Sequence, residues 1–211
     1  MKHARLRHVL LAVCALVLVA AAAGCAWLGS RLNDIKGSLI GNGYVIETYD
    51  NYGSLTFTTT GDKIDLEGNT VETGVDSEGN VSTDLSSVLT VTIDGSEIET
   101  CGDTCIFADK RLEKELDFTT ADFINSHSEV GDITDNTVLA YTINQYKNYF
   151  GKSRIVIIKS QMGRPLCAYS GDSVYWEIPD DLPKTTKLMI DGKPLYIHRA
   201  NFQIIDRDLL D

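Results

Sequence analysis

Beyond residue 24, two cysteines are spaced for mutual chemistry. Cys101 and Cys105 bracket Gly-Asp-Thr. In an extended strand their Cα atoms would stand about 13 Å apart, past disulfide reach. Gly102-Asp103 is turn chemistry, however, and a turn can bring the thiols together. In an oxidising compartment the pattern favours a structural disulfide, worth roughly 2 kcal/mol for so small a loop. A redox dithiol would use the tighter C-x-x-C, and a zinc site would need further ligands. Cys167, in Arg-Pro-Leu-Cys-Ala-Tyr-Ser, reads as a small buried hydrophobe. His127 lies in the polar stretch Asn-Ser-His-Ser-Glu, and His198 follows Tyr196 and Ile197 as a partly exposed surface histidine. No pair of histidines has zincin spacing, and neither G-x-S-x-G nor a usable S-x-x-K occurs. Phe-Gly-Lys-Ser at 150–153 fails as a P-loop because Tyr146 stands where its first glycine belongs.

The acidic residues group as Asp62, Asp65 and Glu67; Asp76 and Glu78; Asp132 and Asp135. None follows EF-hand spacing, so they read as solvated loop charges, with calcium binding as an alternative. Paired carboxylates for glycoside hydrolysis are a second alternative, since their separation is a tertiary property. Tyr49, Tyr52, Tyr175 and Trp176 could form a ligand platform, although Trp176 alternates with Val174 and Ile178 as a half-buried strand residue would. No catalytic, cofactor-binding or metal-ligating residue is assigned.

One further cysteine, Cys25, ends the run Ala22-Ala23-Gly24. Lys2, Arg5 and Arg7 precede an apolar stretch from Val9 to Ala23, the layout of an export signal. Positive charge at this end stays on the cytoplasmic side. Val9 to Leu28 is also long enough to remain as a spanning helix. Small residues before a cysteine fit the other alternative better: the segment resembles a bacterial lipoprotein signal, with Ala22 where leucine is usual. That resemblance implies cleavage between Gly24 and Cys25 and diacylglyceryl transfer to the Cys25 thiol. Two acyl chains anchor stably where one, at about 0.8 kcal/mol per buried methylene, does not. The expected layout is therefore a signal peptide at 1–24, a lipidated tether at 25–36 and one extracytoplasmic domain at 37–211, held to a membrane.

Loss of residues 1–24 removes three basic residues and no acidic one, taking the formal charge from −11 to −14. Such a surface repels phosphate backbones, and no basic stripe opposes it, so nucleic acid is not an expected partner.

The elements that must position these residues are mostly strands. Strands are expected at 44–49 and 54–60, with Leu55, Phe57 and Thr59 alternating against Thr56, Thr58 and Thr60. Residues 72–87 read as a Ser/Gly/Asp/Glu-rich surface loop. Leu89, Val91 and Ile93 face inward in a hairpin turned by Asp94-Gly95, and Asp191-Gly192 repeats the device. Leu139, Ile143, Tyr146 and Phe150 share one helical face, predicting a single packed helix near 136–150. Ile155 to Ile158 forms a central strand covered on both faces, followed by strands at "PLCAYS" and "SVYWEI". The fold class is α+β, mainly antiparallel hairpins with one packed helix.

Long segments, among them "GSLIGNGYVIETYDNYG", "NYFGKSRIVIIKSQMG" and "YSGDSVYWEIPDDLPKTTKLMIDGK", resemble an uncharacterised family of predicted Gram-positive lipoproteins, a domain of unknown function of the DUF5052 type. The likeness covers most of residues 30–211. It implies a lipoprotein and brings no activity, cofactor or site residues. The expected function is a membrane-anchored, non-catalytic domain that binds a ligand or supports the envelope; the alternatives are an envelope hydrolase or a calcium-binding surface domain.

Overall fold

The computed structural model describes residues 38–120 and 151–210. The expected export signal, Cys25, the expected tether at 25–36, His127, Asp132, Asp135 and the expected helix at 136–150 lie outside them. Twelve strands are described: β1 (Ser38–Tyr49), β2 (Leu55–Val75), β3 (Val81–Ile93), β4 (Ser96–Thr100), β5 (Thr104–Asp109), β6 (Leu116–Asp117), β7 (Arg154–Lys159), β8 (Pro165–Gly171), β9 (Val174–Glu177), β10 (Thr185–Ile190), β11 (Lys193–His198) and β12 (Asn201–Asp206). Among the described residues the one helical element is a 3₁₀ turn, Arg207–Leu210. The antiparallel part of the expected fold stands; among the described residues no α-helix is shown.

One sheet has eight strands in the order β4-β3-β2-β1-β5-β11-β10-β9, the other four in the order β12-β7-β8-β6. All pairings are antiparallel. β5 and β11 join the two halves of the chain, pairing Ala108 with Leu195 and Phe107 with Tyr196. All six residues of β5 are buried, because both faces of the large sheet are covered. On one face Ile106, Ala108, Leu188, Ile190, Leu195 and Ile197 meet Val156, Ile158, Leu166 and Tyr169 of the small sheet. On the other, Tyr44, Ile46, Phe107 and Tyr196 continue into Ile64, Leu66, Leu89 and Val91, with Leu182 of the β9–β10 connection packed on them. Ile155 to Ile158 lie buried within β7, between β12 and β8, as their apolar run requires. Burying a side chain such as Phe107 contributes about 2–3 kcal/mol.

Two turns are built alike. Asp94 (φ 49°) and Gly95 (φ 91°), and Asp191 (φ 48°) and Gly192 (φ 74°), have the left-handed pairs of two-residue hairpins. Each turn aspartate reaches sideways to cap a neighbouring Gly-Asp bend. Asp94 Oδ1 accepts from Lys63 N at 2.8 Å, and Asp94 Oδ2 from Asp62 N at 3.2 Å. Asp191 Oδ1 accepts from Asp172 N and Ser173 N, both at 2.9 Å. In each bend the aspartate is paired to a lysine, Asp62 to Lys110 at 2.7 Å and Asp172 to Lys152 at 2.8 Å.

The expected loop at 72–87 is instead the tip of a long hairpin. β2 and β3 run on as a two-stranded ribbon, pairing Thr70 with Leu85, Glu72 with Thr83 and Val75 with Val81. Asp76 makes the turn: its Oδ1 accepts from Glu78 N and Asn80 N, each at 2.9 Å. The turn-forming composition of 76–80 hid the alternation on either side of it.

Candidate functional site

Charged side chains converge where the two sheets meet. Glu47 projects from β1, Lys114 from the β5–β6 connection and Asp117 from β6. Lys114 Nζ lies 2.6 Å from Glu47 Oε1 and 2.9 Å from Asp117 Oδ2. Tyr49, fully buried, donates its hydroxyl to Glu47 Oε2 at 2.9 Å. Asp117 Oδ1 accepts from Thr119 N and Oγ1. Cys167, opposite Asp117 on β8, lies beneath. Burial tends to push the Asp117 carboxyl up, but Thr119 and Lys114 outweigh it and hold it low. Burial tends to lower Lys114, and its two carboxylates raise it. Burial and the Glu47 charge drive the Tyr49 phenol well up, and burial pushes the Cys167 thiol up to about 12. A nucleophilic cysteine needs a lowered pKa, and a glycosidase acid a raised one. Cys167 and Asp117 are shifted the opposite ways, and the ion pairs of Lys114 with Glu47 and Asp117 make a clamp between the sheets.

A second polar set crosses four strands of the large sheet. Thr48, Cys105, His198 and Thr185 are paired in register across β1, β5, β11 and β10, and all are buried. The Thr185 hydroxyl donates to Pro183 O at 3.0 Å, leaving its oxygen to accept from His198 Nδ1–H at 3.1 Å. His198 Nε2 has no partner. Burial lowers the His198 pKa to about 4, and Arg199 and Lys184 reinforce the shift against a hydrogen bond to Pro183 O. Burial pushes the Cys105 thiol up to about 11. Thiol and imidazole are thus both neutral at pH 7, and the row fills the interior without activating either.

These positions correct several expectations. His198 is buried rather than partly exposed, because β5 and β10 flank it. Tyr49 leaves the aromatic platform for the clamp, whereas Tyr52, Tyr175 and Trp176 are exposed. Trp176 is not half-buried: β9 is an edge strand, and Ile178 beside it is exposed as well. The expected Cys101–Cys105 disulfide is not present; both thiols are free, with Cys105 turned into the buried row and Cys101 on the exposed bend after β4. Cys167 is buried as expected. Asp62 and Asp76 are engaged by Lys110 and by their own turn, respectively. Among the described residues no three His, Cys, Asp or Glu side chains converge to hold a cation. The clamp escaped sequence reasoning because Glu47 lies 67 residues before Lys114; the Lys114–Asp117 pair is local, but only the packing of the sheets brings Glu47 to it.

The remaining chemistry is on the surface. From Ile64 to Asp109 the chain has no lysine or arginine but eleven carboxylates. That stretch forms most of β2 and all of β3, β4 and β5, so one end of the large sheet and its ribbon are anionic. Val71, Val75, Val81 and Leu85 are exposed along the ribbon between those charges.

No curated protein and no solved structure matches the chain. One family does, described as "Domain of unknown function (DUF5052)", over residues 7–210. The match spans both sheets and every described strand, and the chain belongs to the DUF5052 family.

Proposed function

We propose that this chain is a membrane-anchored extracytoplasmic lipoprotein whose β-domain binds a partner rather than catalysing a reaction. The anchor is Cys25: Ala22-Ala23-Gly24-Cys25 closes an apolar run behind three basic residues, and small residues there suit a cleavage site. Binding is favoured by where the reactive groups are. The interior carboxylates serve Lys114, the buried thiols are held protonated, and the acidic and apolar groups that face outward lie on strands and a projecting ribbon. A carboxylate-pair hydrolase would need one acid held protonated near neutrality, whereas Asp117 is pulled the other way.

Cys25→Ala tests the anchor. Labelled fatty acid should be incorporated by the parent and not by the variant, and the variant should leave the membrane fraction or persist as uncleaved precursor. Unchanged membrane association at mature mobility, without label in the parent, would replace the lipid anchor with a spanning helix.

A further inference from the structure

We infer that β2 presents, over Leu55–Thr60, a docking edge that takes an extended segment of another protein as an added strand. Through these residues β2 pairs with β1 alone. β3 joins β2 only at Ile64, opposite Ile93, then turns away at Asp94-Gly95. Asp94 seals the point of departure, its carboxylate accepting from Asp62 N and Lys63 N and its own N–H donating to Lys63 O at 2.9 Å. From Thr60 back to Leu55 no described strand lies alongside, so among the described residues the outward N–H and C=O groups of alternate residues have no strand to pair with.

Open edges are ordinarily guarded by charge. The terminal strands of both sheets follow that rule, with Glu97 and Glu99 on β4, Glu177 on β9, Asp206 on β12 and Asp117 on β6. Leu55–Thr60 does not. It reads Leu-Thr-Phe-Thr-Thr-Thr, without a charge or a proline and rich in strand-forming side chains. Leu55 and Phe57 are 48% and 45% exposed on one face, and Tyr52 in the adjoining turn is 70% exposed. A strand laid along this edge would satisfy its backbone and cover those side chains, the mode of β-augmentation.

Charge selects the occupant. The edge is bracketed by Asp50 and by Asp62, whose side chain is 87% exposed despite its lysine. A second copy paired antiparallel would set each Asp62 beside the other's 50–53 turn, between two strongly anionic molecules. The fitting occupant is a segment with β-branched or apolar residues at alternate positions, no acidic residue, and lysine or arginine at its ends.

This rests on reading the domain as a binding module, and its test does not depend on the lipid anchor. Full-length protein in detergent micelles is titrated with an end-blocked peptide of alternating valine and threonine flanked by lysines. Amide exchange is followed by mass spectrometry. Exchange should slow over residues 54–61, and replacing the flanking lysines by glutamates should weaken binding about tenfold or more. The double variant Leu55→Lys, Phe57→Lys should lose the protection while keeping the parent's melting temperature. Should that variant not fold, the parent's own exchange map and the glutamate peptide still decide. The inference is overturned if saturating peptide leaves 54–61 unprotected, if protection falls on β4 or β9 instead, or if the peptide-free protein protects this edge as its concentration rises, which would make a second copy the occupant.

Discussion

At the scale of single residues, the interior decides protonation. His198 Nδ1 is bonded to the Thr185 hydroxyl, and its Nε2 is bare. Its folded pKa, about 4, lies below its ordinary 6.5. An imidazole depressed in this way contributes stability above pH 6.5, and that contribution is lost as pH falls towards 4, because the unfolded chain binds the proton first. The loss is about 3 kcal/mol when complete. Denaturant midpoints between pH 7 and pH 4 should therefore fall, and His198→Asn should flatten that part of the profile at some cost in stability at pH 7. An equal slope in parent and variant would assign the acid sensitivity to the carboxylates, such as Asp109, which is fully buried. Burial pushes its carboxyl up, but the paired bonds from Arg111 at 2.7 and 2.9 Å outweigh that and hold it low.

At the scale of elements, glycines report how the strands are closed over. A Cβ at Gly68 would collide with the Asp181 carbonyl and approach Pro183, so β2 passes directly beneath the β9–β10 connection there. Backbone cannot yield as a flexible side chain can, and Gly68→Ala should cost about 1–3 kcal/mol. Gly74, six residues on in the same strand, has nothing within 4 Å of such a Cβ. Gly74→Ala should leave the melting temperature nearly unchanged. Equal effects at the two sites would mean that the connection does not rest on β2 in solution. The paired Ile-Asp-Gly turns belong to this scale too. Their recurrence is visible in the sequence, but that each aspartate caps a Gly-Asp bend carrying its own lysine is visible only once strands 31 and 19 residues away are laid beside them.

At the scale of the whole molecule, the dominant quantity is charge. The formal charge is −11, or −14 without residues 1–24, and the carboxylates crowd one end of the large sheet. Their repulsion opposes the folded state, and salt relieves it over a Debye length of about 10 Å at 0.1 M. Melting temperature should rise with ionic strength, equally for sodium and calcium chloride at matched ionic strength. The carboxylates of Asp62, Asp76 and Asp172 already have partners in Lys110, Asn80 and Lys152. A rise of several degrees specific to calcium, and lost on amide replacement within one acidic group, would establish a cation site.

The sequence by itself determined the local matters. Period-two alternation marked β1 and β2; Asp-Gly dipeptides marked two hairpins; the continuous run Ile155–Ile158 marked β7 as a strand covered on both faces. These are properties of neighbouring residues, which strand geometry and left-handed turns read directly. Composition misled where it blurred that alternation, as at 72–87. Only the tertiary structure decided which residues meet. Glu47, Lys114 and Asp117 are a clamp because two sheets stack there. His198 is buried because its strand lies between β5 and β10. Among the described strands Leu55–Thr60 has β1 as its one neighbour because β3 departs at Asp94. Strand order is set by contacts between residues far apart along the chain, and no local pattern encodes a neighbour that arrives from elsewhere.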